Sequence, residues 1–155
     1  LSIGPRSEAE LLSLMAHGFR WRNIRGVDLM SYSPRIDVGD MHELQYPDGS
    51  FDIIVASRVL GYSNTPRIAA AEIVRVVRDR GLIAVNSGDI QPDRTASPAK
   101  DYRPGADTKF SSLGGLLDIF APHVDQIYFQ NDPSQETGSH RGPILAIFSV
   151  KKHPL

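Results

Sequence analysis

The sequence predicts an α/β fold. The expected architecture is one open, mainly parallel, Rossmann-like seven-stranded sheet with helices on both faces and an antiparallel last strand, all in a single domain over residues 1–155. Three observations carry this expectation. Short apolar runs at 51–56 and 82–85 have the length of strands buried on both faces. Between them Ile68, Ala69, Ile73, Val76 and Val77 recur at helical spacing. The connections are short enough to make strand, helix and strand one right-handed βαβ unit.

Each element has its own signal. The opening Leu1-Ser2-Ile3 runs into Gly4-Pro5-Arg6, a bend between a strand and a helix. Ser7 and Glu10 have the spacing of a capping box, Leu11, Leu12, Leu14 and Met15 follow, and His17-Gly18 supplies a stop. Segments 23–29 and 35–38 read as short strands that end near Asp28 and Asp40. Pro47-Asp48-Gly49-Ser50 is turn chemistry before the strand at 51–56. Thr65-Pro66 starts the second helix, which the pattern carries to Gly81. Residues 87–109, with Pro92, Pro98 and Pro104, read as a long irregular loop. A weak helix at 111–120, diluted by Gly114-Gly115, leads to closing strands at 123–129 and 144–151, with a polar, turn-rich connection at 131–142.

Composition narrows the function. With 17 Lys and Arg against 18 Asp and Glu, a net charge of -1 gives no field to attract nucleic acid, so none is expected as a partner. The basic run Arg20, Arg22 and Arg25 around Trp21 reads as a solvated turn with the indole folded inward, against the alternative of a phosphate or RNA contact. No cysteine is present, which removes thiol redox chemistry and thiolate metal sites and suits a cytoplasmic location. The apolar runs fall far short of the roughly 20 residues that span a bilayer, so no membrane partner is expected. The five histidines lack the spacing of a metal motif.

In open α/β sheets ligands sit beyond the carboxyl ends of the strands. That rule gathers residues 4–6, Asp28-Leu29, residues 40–42 and residues 57–62 toward one crevice. Asp28 lies 24 positions after Gly4, the distance at which a carboxylate can accept both hydroxyls of a ribose, against the alternative of an aspartate that only closes a strand at the surface.

Asp40-Met41, the stretch Tyr46-Pro47-Asp48-Gly49-Ser50-Phe51-Asp52, Asp28 and the helix of residues 72–77 before Gly81 together resemble the class I S-adenosylmethionine-dependent methyltransferases, in particular the short "type 11" kind. The resemblance runs over essentially the whole chain and is strongest from 24 to 87. It implies S-adenosylmethionine as cofactor, and the candidate residues to hold it in this chain are Gly4, Arg6, Asp28, Leu29, Asp40, Met41, His42 and Ser57. Asp40 would stand near the adenine amino group, with Met41 against the ring. It also implies methyl transfer to a small-molecule or glycan-precursor acceptor, and a chain opening on its first strand without the N-terminal lid helices of the family. A homo-oligomer is compatible with this reading.

One departure stands out. Where the family has an acidic residue and then G-x-G-x-G, this chain has Ser2, Gly4, Pro5 and Arg6. Pro5 lacks a backbone donor, and Arg6 brings a side chain into space the family leaves to backbone. Either Arg6 pairs with the cofactor carboxylate, or the pocket has degenerated and the domain serves as a non-catalytic scaffold. His42, His17, Tyr62 and Asp89 are candidates for a base, with His42 read more readily as a loop histidine without catalytic duty, His17 as a helix cap and Tyr62 as a pocket wall. A nicotinamide-dependent dehydrogenase is disfavoured by the absence of G-x-G-x-x-G.

Overall fold

The structure, a computed structural model, describes residues 1–89, 110–133 and 143–152, the side chains of Gly88 and Asp89 excepted. In chain order its elements are β1 (Ser2–Ile3), α1 (Glu8–Ala16), β2 (Gly26–Asp28), β3 (Ile36–Val38), β4 (Phe51–Ser57), α2 (Pro66–Val76), β5 (Val77–Asp89), α3 (Leu113–Asp118), β6 (Val124–Asn131) and β7 (Pro143–Val150). Single 3-10 turns occupy Trp21–Asn23 and Leu60–Tyr62. Among the described residues no helix is long and apolar enough to cross a membrane. The long loop and most of the polar connection expected from sequence lie outside the described residues.

All seven strands form one sheet in the order β3-β2-β1-β4-β5-β7-β6. The pairs from β3 to β5 are parallel, and β7 is antiparallel to both β5 and β6. The chain winds outward from β1 to β3, then crosses to β4 and winds the other way. The topology therefore reverses between β1 and β4, the place where α/β sheets open a crevice at their carboxyl ends.

The second helix is shorter than its pattern. It stops at Val76, and Val77 is already extended and paired with Phe51. Val76 and Val77 are fully buried β-branched residues, which fit a pleated surface better than a helix turn. Between Val77 and Leu82 the register against β4 shifts, and Arg80 adopts a left-handed φ of 58°. Gly81 is needed there because a Cβ would lie 2.6 Å from Val77 Cγ2 and 3.0 Å from the Asp52 carbonyl oxygen. The capping box of α1 is half made: Ser7 Oγ accepts from Ala9 N–H at 3.4 Å, while Glu10 turns elsewhere.

Register and burial show an uneven sandwich. On one face Ile54, Ala56, Ile83, Val85, Ala146 and Phe148 are all at or below 1% exposure, packed in the core that includes Ile73 and Val76 of α2 and Leu116 of α3. On the other face α1 packs near β1 to β3, where Leu11, Ile24 and Ile36 form a small second core with Trp21 against it. Farther along that face Ile53, Val55, Leu82, Ala84, Leu145 and Ile147 stay half-buried.

Candidate functional site

The carboxyl ends of β1 to β4 are tied to one another by direct contacts. After β1, Gly4 takes a φ of 71° and donates its N–H to the Val27 carbonyl of β2. A Cβ at Gly4 would lie 2.7 Å from Cγ2 of Val59, which follows β4, so only glycine permits this approach. Arg6 is also left-handed, with φ 45°, a conformation that costs a residue with a Cβ roughly 1–2 kcal/mol. Its N–H donates to Asp28 Oδ2 at 3.0 Å. The Arg6 side chain is exposed, and its guanidinium has no partner among the described residues. Asp28 thus closes the β1 turn, and its Oδ1 accepts from Met30 N–H at 3.4 Å.

A carboxylate that the sequence pattern did not reveal lies against β1. Ser2 is fully buried, and its hydroxyl donates to the Glu10 carboxylate of α1. A carboxylate therefore stands beside β1 although residue 2 is neutral. The spacing of Glu10 from Ser7 pointed instead to a cap.

After β3, Asp40 opens a tight turn in which Glu43 N–H bonds back to the Asp40 carbonyl. Asp40 Oδ1 accepts from the His42 backbone N–H at 2.9 Å and lies 2.6 Å from His42 Nδ1. His42 Nε2 is 2.6 Å from Ser63 Oγ, at the end of the turn that follows β4. The His42 backbone N–H, ahead of the ring, holds the Asp40 carboxyl below the usual carboxylate range. With both ring nitrogens engaged, His42 is a connector between two loops rather than a free base. Met41 is half-buried against the main core, whereas Leu29 beyond β2 is 70% exposed.

At the end of β4, Ser57 Oγ accepts from Asn86 Nδ2 of β5 at 3.2 Å. Arg58 follows with a left-handed φ of 59° and an exposed side chain that has no partner among the described residues. Tyr62 is 66% exposed. His17 lies apart from this cluster: its Nδ1 is 2.8 Å from the Ser13 carbonyl, and it caps α1 as expected. Asp89 ends β5, with its side chain outside the described residues. Trp21 folds inward against Leu11, Ile24 and Ile36, and Arg35 lies over its ring at 5.1 Å, the arrangement expected of a solvated turn.

The Tyr46 to Asp52 stretch is held from below by α2. Arg75 donates to both Glu72 oxygens, to Asp48 and to the carbonyls of Leu44 and Tyr46. The Tyr46 hydroxyl donates to Asp37 Oδ2 at 2.8 Å, and burial raises its pKa well above the ordinary value.

The topology reverses between β1 and β4, with Asp28 and Asp40 at the carboxyl ends of β2 and β3, and this is the position at which open α/β domains take their ligands. The chain belongs to the family described as "Methyltransferase domain", whose model matches residues 1–85. That membership makes it a class I methyltransferase-type protein and implies S-adenosylmethionine as the methyl donor. Solved structures share the fold. A Methanosarcina mazei S-adenosylmethionine-dependent methyltransferase is 16% identical, with 98% of this chain and 92% of that one covered at a TM-score of 0.70. The chain bound to a methyltransferase activator in a Haloferax volcanii complex is also 16% identical, with 99% and 82% covered at 0.70. A cyclase is 19% identical, with 97% and 74% covered at 0.65. No curated protein matches the chain in sequence.

Proposed function

We propose that this protein transfers a methyl group from S-adenosylmethionine to a small-molecule or glycan-precursor acceptor. The observation that carries the reading is the convergence of the β1, β2, β3 and β4 ends, linked as Arg6 to Asp28, Gly4 to Val59 and His42 to Ser63. The residues fit the adenosine half of the cofactor well. Leu29 offers an exposed apolar surface and Met41 a half-buried one for the base. Asp28 retains lone pairs for the ribose, since each oxygen accepts a single hydrogen bond among the described residues. Asp40 Oδ2 accepts none among them and is free to meet an amino group.

The methionine half is held differently from the family pattern. Gly4 gives backbone access to the turn, and Ser57 lines the β4 side. Arg6, with its unpaired guanidinium, pairs with the carboxylate in place of lost backbone donors. When bound, the sulfonium supplies an already activated methyl, so the chain's residues have to align an acceptor more than to move protons. Neither His42 nor His17 is needed as a base.

The test is calorimetric titration with S-adenosylhomocysteine. Binding supports the cofactor site, and Asp28→Ala weakens it about tenfold or more through loss of charged acceptors. Unchanged affinity rejects the ribose assignment. A second reading, a non-catalytic scaffold, is favoured by one observation: Val59 packs into the space at Gly4, and Asp28 already caps the turn. The fold alone does not decide, because it also serves a cyclase. Absence of heat at millimolar ligand selects the scaffold, in which the activator-bound relative suggests a protein partner.

A further inference from the structure

The hydrogen-bond chain through His42 resembles an Asp-His-Ser triad in its order and its distances. Asp40 Oδ1 to His42 Nδ1 is 2.6 Å and His42 Nε2 to Ser63 Oγ is 2.6 Å. It is not a nucleophilic device, because Ser63 is 0% exposed and no substrate reaches its hydroxyl. Its Oγ also accepts from Thr65 N–H at 3.0 Å, immediately before α2. The carboxylate sets the tautomer: Asp40 Oδ1 can only accept, so Nδ1 carries the ring proton and donates it, and Nε2 of that tautomer accepts from the Ser63 hydroxyl. His42 thereby spans from the loop after β3 to the loop after β4, past the ends of the two strands between them in the sheet.

We infer that His42 is a positioning residue for base selection: by fixing Asp40 Oδ1 it presents Oδ2 outward as an acceptor that distinguishes a 6-aminopurine from a 6-oxopurine. The inference rests on the cofactor site proposed above and adds to it the element that makes the site specific. A 53%-exposed aspartate held only by its own backbone samples several rotamers, and a ligand must then order it. With the imidazole and the His42 N–H both on Oδ1, the carboxylate plane is set before the ligand arrives. A 6-amino group donates to the waiting oxygen. A 6-oxo group sets acceptor against acceptor and leaves both unpaired.

The experiment compares S-adenosylhomocysteine with its S-inosyl counterpart by calorimetry on the wild-type chain, His42→Ala, His42→Asn and Ser63→Ala. The wild type prefers the adenosyl ligand. His42→Ala loses about tenfold of that preference, mainly through weaker adenosyl binding. His42→Asn, whose amide can replace Nδ1–H toward Asp40, restores most of it, and it also reports if the alanine variant fails to fold. Ser63→Ala loses a smaller part. A merely structural histidine would weaken both ligands equally and leave their ratio unchanged, and that result overturns the inference while the cofactor site stands. A wild-type chain that binds both ligands equally also overturns it. A wild-type chain that binds neither overturns the cofactor site and the inference together.

Discussion

Arg75→Ala should be among the most damaging changes to the surface of this protein. The guanidinium uses all of its nitrogens: Nε and Nη2 bond Glu72, Nη1 bonds Asp48 and the Tyr46 carbonyl, and Nη2 also bonds the Leu44 carbonyl. Those contacts fasten the turn before β4 to α2. The side chain is 31% exposed and Asp48 is 74% exposed, so water compensates the Asp48 pair almost fully on removal. The two carbonyl contacts and the forked Glu72 pair are harder to replace. Charged hydrogen bonds contribute about 1.5–3 kcal/mol each before screening, which leaves an expected loss of about 2–4 kcal/mol. For a chain of this size that lowers the melting temperature by about 5–15 °C. Urea unfolding of Arg75→Ala, Arg75→Lys and Asp48→Ala checks it. Lysine should recover less than half, because a point charge cannot make the fork. A loss below about 1 kcal/mol for alanine refutes the reasoning.

Other outcomes follow from the same contacts. Glu72 is held below its ordinary value of 4.5, first by its hydrogen bond from Arg75. A depressed folded-state carboxyl contributes stability above its unfolded value and loses it as pH falls through the folded one, so melts should show stability declining below about pH 4.5, less steeply in Arg75→Ala. Gly4→Ala places a Cβ 2.7 Å from Val59 Cγ2 at a φ of 71°, and should cost about 2–4 kcal/mol in denaturant unfolding. Val59→Ala in the same chain should recover the contact part but not the backbone part, and full recovery would show that strain at Gly4 is negligible. Asp28→Asn should preserve the fold better than Asp28→Ala, since an amide oxygen still accepts from Arg6 N–H, yet still weaken S-adenosylhomocysteine in the calorimeter.

Much of the fold was legible because it depends on periodicity and punctuation. The runs that became β4 and β5, the Thr65-Pro66 start of α2 and the Asp48-Gly49 turn are local signals, and each lies where it was expected. The end of α2 was not legible. Val76 and Val77 fit an apolar helix face as well as a strand, and only pairing with Phe51 decides between them. In the candidate site, the strand-end rule found the segments that meet, but not how their side chains engage. Glu10 reaching Ser2, and Ser63 reaching His42, are contacts over 8 and 21 residues that no spacing rule anticipates. The positions of His17 and Trp21 followed directly from their local context.

The uneven sandwich divides the sheet's residues into two groups with different freedom to vary. Truncating Ile83 or Phe148 opens a void walled by helices, and such voids do not collapse. Val55, Leu82 and Ile147 already meet solvent, so a shorter or more polar side chain there forfeits only part of a contact. Sequence drift should therefore be visible along alternate positions of the same strands, frozen where the side chain faces the helices and permissive at the positions between, with a period of two residues.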